Sequence, residues 1–107
     1  MIIINGIRWD LLLVPPSNPA LQMPHGKQAL GCCDNFTHII YINKELSKRK
    51  IKEVLRHEIT HAVIYSHNIS LTPREEETVV EVVTKYGRKI NGLTNKAYKE
   101  IKNRGDI

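Results

Sequence analysis

The hydrophobic periodicity of this chain changes once, near residue 44, and that change restricts the fold more than any other feature. Before it, apolar residues alternate with polar ones or form short runs, as in "THIIYIN" (37–43), which is typical of β-strands. After it, apolar residues recur at the 3.6-residue spacing of an amphipathic helix. A block of strands followed by a block of helices predicts an α+β fold.

The first 43 residues are predicted to form a small antiparallel or mixed β-sheet with one long loop. Asn5-Gly6 lies between two apolar runs, which is the strongest short-range signal for a β-hairpin. Residues 15–26 contain four prolines and are predicted to be the loop. Residues 27–43 then predict two further strands around a turn at Asp34-Asn35.

Three helices are predicted to pack against this sheet, over residues 44–68, 72–92 and 94–104. The second helix has the clearest start, because Thr72 can cap it, a proline follows, and Glu75 completes a capping box. An Asn-Gly pair at positions 91 and 92 is expected to end it. The last helix is predicted to be short.

The positive charge of the chain is spread over predicted helices. The net charge is +5 over 107 residues, with the excess in 44–52 and 88–104. Neither segment interleaves aromatic residues with basic ones or forms a recognisable DNA-reading helix pair. This pattern favours solvated helix faces over nucleic-acid binding, although a polyanion-binding surface remains an alternative.

The apolar N-terminus does not have the pattern of a signal peptide. Polar residues Asn5, Arg8 and Asp10 interrupt it, and it lacks a basic leading segment. No run approaches the roughly 20 apolar residues of a transmembrane helix. We therefore expect a cytoplasmic protein in which Cys32 and Cys33 are reduced thiols.

The stretch "RHEITHAVIYSH" (56–67) contains the residues most indicative of chemistry. His57 and His61 are four apart on a helix, so their rings project from one face and can bind one zinc ion. Glu58 falls within the apolar stripe, where a carboxylate is unexpected unless it has a function. Beside a metal it could act as a general base on the attacking water. The alternative is a histidine pair packed at a helix edge.

A third protein ligand is expected from the next helix, because catalytic zinc sites commonly add a carboxylate to two histidines. The short connection over 68–72 makes the two helices antiparallel neighbours. The candidates are Glu75, Glu76, Glu77 and Glu81. Residues four apart face the same way, so one glutamate could bind zinc while another accepts a hydrogen bond from a ligand histidine. Alternatively, acidic residues at a helix start offset the helix dipole.

With "LGCCDNFTHIIYINKEL", "VLRHEITHAVIY" and "EEETVVEVVTKYG", the chain resembles the ImmA/IrrE family of small zinc metallopeptidases. The similarity is greatest to the short phage and mobile-element members that lack a DNA-binding domain. The resemblance implies Zn²⁺ as cofactor, His57 and His61 as metal ligands, and Glu58 as general base. It also implies that 37–43 is an edge strand before the active-site helix.

The same resemblance implies a third ligand. In related gluzincin peptidases the ligand glutamate is followed four positions later by an acidic or amide residue, which fits Glu77 as the ligand and Glu81 as the acceptor of a hydrogen bond from a ligand histidine. The alternative third ligand is Glu76, in which case the residue four positions later would be Val80. The sequence departs from longer relatives at "VVTKYG", where they carry "FAxxLL". The residue that stabilises the oxyanion stays open among Tyr65, Tyr86 and His67.

The function that the resemblance implies is zinc-dependent hydrolysis of a peptide bond in a protein substrate, such as a phage or mobile-element regulator. An extended substrate could add to a sheet edge at 37–43. The main alternative is a zinc-containing module that docks to a protein partner without hydrolysis. A nucleic-acid binder is the third alternative, and the least favoured.

Overall fold

The computed structural model describes residues 1–106 and contains a four-stranded mixed sheet followed by two long helices. The predicted α+β class is confirmed. The elements are β1 (Ile2–Ile4), β2 (Ile7–Val14), β3 (Gly31–Asp34), β4 (Ile39–Asn43), α1 (Lys48–Ser66) and α2 (Pro73–Asn103). Two short 3₁₀ turns, Pro19–Leu21 and Pro24–Gly26, interrupt the proline-rich loop between β2 and β3.

The sheet has the strand order β1-β2-β4-β3. The predicted hairpin at Asn5-Gly6 is confirmed: both residues have positive φ, 49° and 78°, as a tight turn between antiparallel strands requires. β3 and β4 also pair antiparallel. In contrast, β2 and β4 pair parallel, with Leu11 opposite Ile40, so the loop crosses over to bring β3 to the outside.

The prediction of an edge strand at 37–43 is wrong. β4 lies inside the sheet and is paired with β2 on one side and β3 on the other. The edge strands are β1 and β3, and the second edge of β3 pairs with no other strand of residues 1–106. The cause is the parallel pairing of β2 with β4, which a local strand pattern does not encode.

α1 covers one face of the sheet and carries the main core. Ser47 caps its start, because the Ser47 hydroxyl accepts a hydrogen bond from the Lys50 backbone N–H. The buried cluster joins helix and sheet and consists of Trp9, Ile40, Ile42, Val54 and Ala62. At the far end of the helix, Trp9 Nε1 donates to Ser66 Oγ over 2.9 Å inside the core.

α2 begins at the predicted capping box of Thr72 and Glu75, but it continues without a break to Asn103. The predicted separate helices over 72–92 and 94–104 are therefore one helix. Gly92 does not adopt the left-handed conformation by which glycine usually ends a helix. Val80 is fully buried, whereas every residue from 88 to 100 is exposed. Within the part of the chain described, neither helix is long and apolar enough to cross a membrane.

Candidate metal centre

Three predicted ligands meet where the middle of α1 faces the start of α2. One nitrogen each from His57 and His61, and one oxygen from Glu77, lie within 4.8 Å of one another. The two imidazole rings are 5.1 Å apart between centroids. The i, i+4 spacing on α1 provides the histidine pair, and the short turn before Pro73 returns the chain so that α2 brings the carboxylate alongside.

The dimensions of this cluster are compatible with a tetrahedral metal ion. Ligand atoms at about 2.0–2.1 Å from such an ion lie about 3.4 Å from one another. His61 Nε2 and Glu77 Oε1 are 3.4 Å apart. Two imidazole nitrogens and one carboxylate oxygen form a donor set that borderline divalent metals prefer, and it leaves a fourth coordination position open.

His61 is oriented by a second carboxylate. Its Nδ1 lies 2.6 Å from Glu76 Oε2, and the His61 side chain is only 15% exposed. If Nδ1–H donates to Glu76, the lone pair of Nε2 points towards Glu77 and is available to a metal. Metal-binding histidines are commonly oriented in this way by a carboxylate.

The structure therefore places Glu76, not Glu81, at the position predicted for a carboxylate that supports a ligand histidine. Glu81 is exposed and pairs with Lys85 over 2.8 Å. The buried residue Val80 marks the side of α2 that faces α1. At about 100° per residue, Glu76 and Glu77 lie about 40° and 60° on either side of Val80, whereas Glu81 lies about 100° away.

Glu58 lies beside the cluster in a largely dry position. It is 7% exposed, and its Oε2 is 4.0 Å from His57 Nε2. Burial raises the pKa of Glu58 to about 7, although the neighbouring His61 acts in the opposite direction. A carboxyl group with a pKa near 7 can both accept and release a proton at neutral pH.

The environment of His57 favours its neutral form. Burial lowers the pKa of His57 below its ordinary value, and the neighbouring His61 lowers it further. Only the neutral imidazole has a lone pair for a metal, so this shift prepares His57 to act as a ligand near neutral pH.

Gly31 allows β3 to lie against α1 at this point. A Cβ added to Gly31 would be 2.6 Å from Val54 Cγ1 and 3.1 Å from Glu58 Cγ. The sequence pattern did not single out Gly31 for this contact. A glycine at the first position of a strand was the available signal, because glycine in a strand commonly marks a close approach of another backbone or side chain.

Two open cavities flank the cluster along the β3 edge. The first, of about 400 Å³, reaches His57 and Glu77, and the second, of about 370 Å³, reaches His61 and Glu76. Both cavities are also lined by Met23, Ala29, Gly31 and Glu58. The proline-rich loop thus forms part of the wall of each cavity, a contribution that the sequence did not predict.

The remaining predicted candidates lie elsewhere. Tyr65 packs edge-on against Trp9 at 5.9 Å, Tyr86 is exposed on α2, and His67 is the exposed C-cap of α1. None of the three lines either cavity within residues 1–106. Cys33 lines the second cavity, and burial raises its pKa to about 12, so its thiol stays protonated.

His57, His61 and Glu77 can thus hold a divalent cation, with Glu76 against His61 and the buried carboxyl group of Glu58 beside the cluster. Both cavities give a ligand access to this group from the surface. Comparison of the chain with protein-family models, with curated proteins and with solved structures found no match.

Proposed function

We propose that this protein is a zinc-dependent metalloendopeptidase of the ImmA/IrrE-like type, with Zn²⁺ held by His57, His61 and Glu77. The contacts of the two ring nitrogens of His61 support this proposal most directly. Its Nδ1 contacts Glu76 at 2.6 Å, while its Nε2 lies 3.4 Å from Glu77 and within the same cluster as His57. A histidine that only filled space at a helix edge would not need a carboxylate at each ring nitrogen.

Glu58 is the proposed catalytic residue. A bound zinc ion would lower the pKa of a coordinated water molecule to about 7 and polarise the substrate carbonyl. The Glu58 carboxylate would accept a proton from the attacking water and then donate it to the leaving amine nitrogen. Glu58 is buried beside the cluster, 4.0 Å from His57 Nε2, and this position would suit both transfers.

The proposed substrate is an extended protein segment that adds to β3. The outer edge of β3 carries backbone groups that can pair with another strand, and both cavities lie along this edge. Side chains on the two sides of the cleaved bond would enter the two cavities. The first cavity includes Met23, Leu30 and Val54, which favour an apolar side chain. By resemblance, the substrate would be a phage or mobile-element regulator.

Metal content tests the site. Purified wild-type protein is expected to contain one equivalent of zinc by elemental analysis, and His61→Ala is expected to lose it. His67→Ala is the matched control, because His67 is exposed at the end of the same helix, and it should retain zinc. Wild-type protein that takes up no zinc, or His61→Ala that keeps it, would contradict the proposal.

A Glu58→Gln variant separates hydrolysis from docking. Wild-type protein is expected to cleave members of a proteome-derived peptide library, detected as new termini by mass spectrometry. Glu58→Gln should bind zinc but produce no new termini, whereas Glu81→Gln, at an exposed glutamate of α2 that lines neither cavity, should behave as wild type. Zinc-loaded wild-type protein that cleaves nothing would instead favour a zinc-containing docking module.

A further inference from the structure

α2 presents an apolar stripe along residues 79–97 that is exposed except at Val83, which is half-buried beside α1. Its residues are spaced alternately four and three apart, which is the order of core positions in a coiled coil. They are Val79, Val83, Tyr86, Ile90, Leu93 and Ala97. Tyr86, Ile90 and Leu93 are 53%, 52% and 57% exposed, and the stripe is about 27 Å long at 1.5 Å per residue.

The second half of α2, residues 88–103, is a poor helix on its own. Asn91, Gly92, Thr94 and Asn95 follow one another closely, and all have weak helix propensity. Every residue from 88 to 100 is exposed, so little packing against α1 or the sheet supports the helix there. Because a helical segment without packing is marginal in water, a second surface on the stripe would stabilise the helix as far as Asn103.

We propose that α2 is a self-association helix, and that two copies of this chain pair along residues 79–97 as a parallel two-stranded coiled coil. In the heptad notation of coiled coils, Val83, Ile90 and Ala97 occupy a positions, and Val79, Tyr86 and Leu93 occupy d positions; the central heptad pairs Ile90 at a with Leu93 at d. β-branched residues at a with leucine at d favour parallel dimers.

The charges that flank the stripe also favour the parallel arrangement. Lys89 and Lys96 occupy the g positions on one flank of the stripe. In a parallel pair they face Thr94 and Ile101 of the second copy, whereas an antiparallel pair over the same residues sets Lys89 against Lys89 of the second copy. The other basic residues of this segment lie away from the seam.

The self-association surface is separate from the candidate metal centre. The stripe is centred about 100° around the helix from Val80, the residue that marks the side facing α1. A second copy on the stripe would therefore leave both cavities along β3 open. The proposal does not depend on zinc or on hydrolysis.

Sedimentation velocity of the full chain across the micromolar range tests the proposal. Wild type is expected to dimerise, and Leu93→Glu is expected to weaken the dimer by on the order of a hundredfold, because it buries a charge in the seam. Asn95→Glu adds the same charge on the opposite face two residues away and should dimerise as wild type. Added salt should strengthen the dimer, since both copies are basic.

The orientation is tested by cross-linking. In a protein with Cys32→Ser and Cys33→Ser, Ala97→Cys should form an intermolecular disulfide on oxidation. An antiparallel pair would place the two new thiols about 27 Å apart along the helix axis. A dimer that does not cross-link overturns the parallel arrangement, and a wild-type monomer at all concentrations overturns self-association. If that monomer binds anionic phosphatidylglycerol vesicles and Leu93→Glu does not, the stripe is a membrane-binding surface instead.

Discussion

At the scale of single residues, Gly31 has the closest contacts among the glycines of the chain. An added Cβ would lie 2.6 Å from Val54 Cγ1 and 3.1 Å from both Glu58 Cγ and the Tyr41 carbonyl oxygen. Gly31→Ala must therefore push β3 and α1 apart next to Glu58. We expect it to lower the free energy of unfolding by about 1–3 kcal/mol, as measured by urea denaturation.

Gly92→Ala is the matched control for Gly31→Ala. An added Cβ at Gly92 meets no atom within 4 Å, and Gly92 lies inside α2 with a helical backbone. Alanine should raise the free energy of unfolding there by about 0.5–1 kcal/mol, because it restricts the unfolded chain and favours the helix. Equal effects of the two changes would show that β3 and α1 do not require a glycine at their contact.

The buried Glu58 predicts a pH dependence of stability in the metal-free protein. Its pKa is about 7 in the folded chain and about 4.5 when unperturbed. Between these values the folded chain binds more protons than the unfolded chain, so stability falls as pH rises. In the presence of a chelator, the free energy of unfolding measured by urea denaturation should fall by on the order of 2 kcal/mol from pH 4.5 to pH 7.

The control for this pH dependence is Glu58→Gln, which has no titrating group at the position. Its stability should be higher than that of the wild type at neutral pH and should fall less over the same interval. Identical pH profiles for the two metal-free proteins would contradict the assignment of the buried charge to Glu58.

The residues on α1 were predictable because one helix fixes their relative positions. His57, Glu58 and His61 need only the 3.6-residue period to be brought together. The choice among the glutamates of α2 needs the direction from α2 to α1, which depends on how the two helices pack. Val80 defines that direction, and it favours Glu76 over Glu81 as the partner of His61.

At the scale of elements, the first turn of α2 positions the carboxylates. Thr72 Oγ1 accepts from the Glu75 backbone N–H, and the Glu75 side chain accepts from the Thr72 backbone N–H. We expect Thr72→Ala to lower the free energy of unfolding by about 1 kcal/mol. It should also weaken zinc binding measured by competition with a chelator, because Glu76 and Glu77 directly follow this cap.

Thr78→Ala provides the comparison for Thr72→Ala. Thr78 is exposed inside the same helix, and its hydroxyl donates only to the Arg74 carbonyl one turn earlier. Its removal should change neither stability nor zinc affinity appreciably. If both variants bind zinc as wild type does, the cap does not position the carboxylates.

The sequence predicted the elements that depend on local signals. The turn at Asn5-Gly6, the strand pair around Asp34-Asn35 and the start of α2 at Thr72 all follow from short motifs. The parallel pairing of β2 with β4 was not predictable in this way, because it joins segments separated by a loop. The extension of α2 past Gly92 was also missed, since weak local propensity argued against it.

At the scale of the whole molecule, the candidate metal ligands lie close together along the chain, whereas the central strands of the sheet pair over a long separation. His57, His61 and Glu77 all belong to one helical hairpin. The central strand pair instead joins Leu11 to Ile40 across the proline-rich loop. Closing a long loop costs more entropy than closing a short one, and such pairing forms slowly.

We therefore expect zinc to accelerate refolding and not only to slow unfolding. Stopped-flow fluorescence of Trp9, which is buried against Ser66, can follow the reaction. Wild type should refold faster with zinc than with a chelator. His61→Ala should refold at the same rate under the two conditions. Zinc that affected only the unfolding rate would contradict this expectation.

The arrangement of the α1–α2 hairpin has a consequence for the order of assembly. A cation bound by His57, His61 and Glu77 would cross-link the two helices while the strands are still unpaired. The helical hairpin would then already be formed when β3 and β4 pack against it. The ion that we propose for hydrolysis would thus act first as a folding template, before the protein meets any substrate.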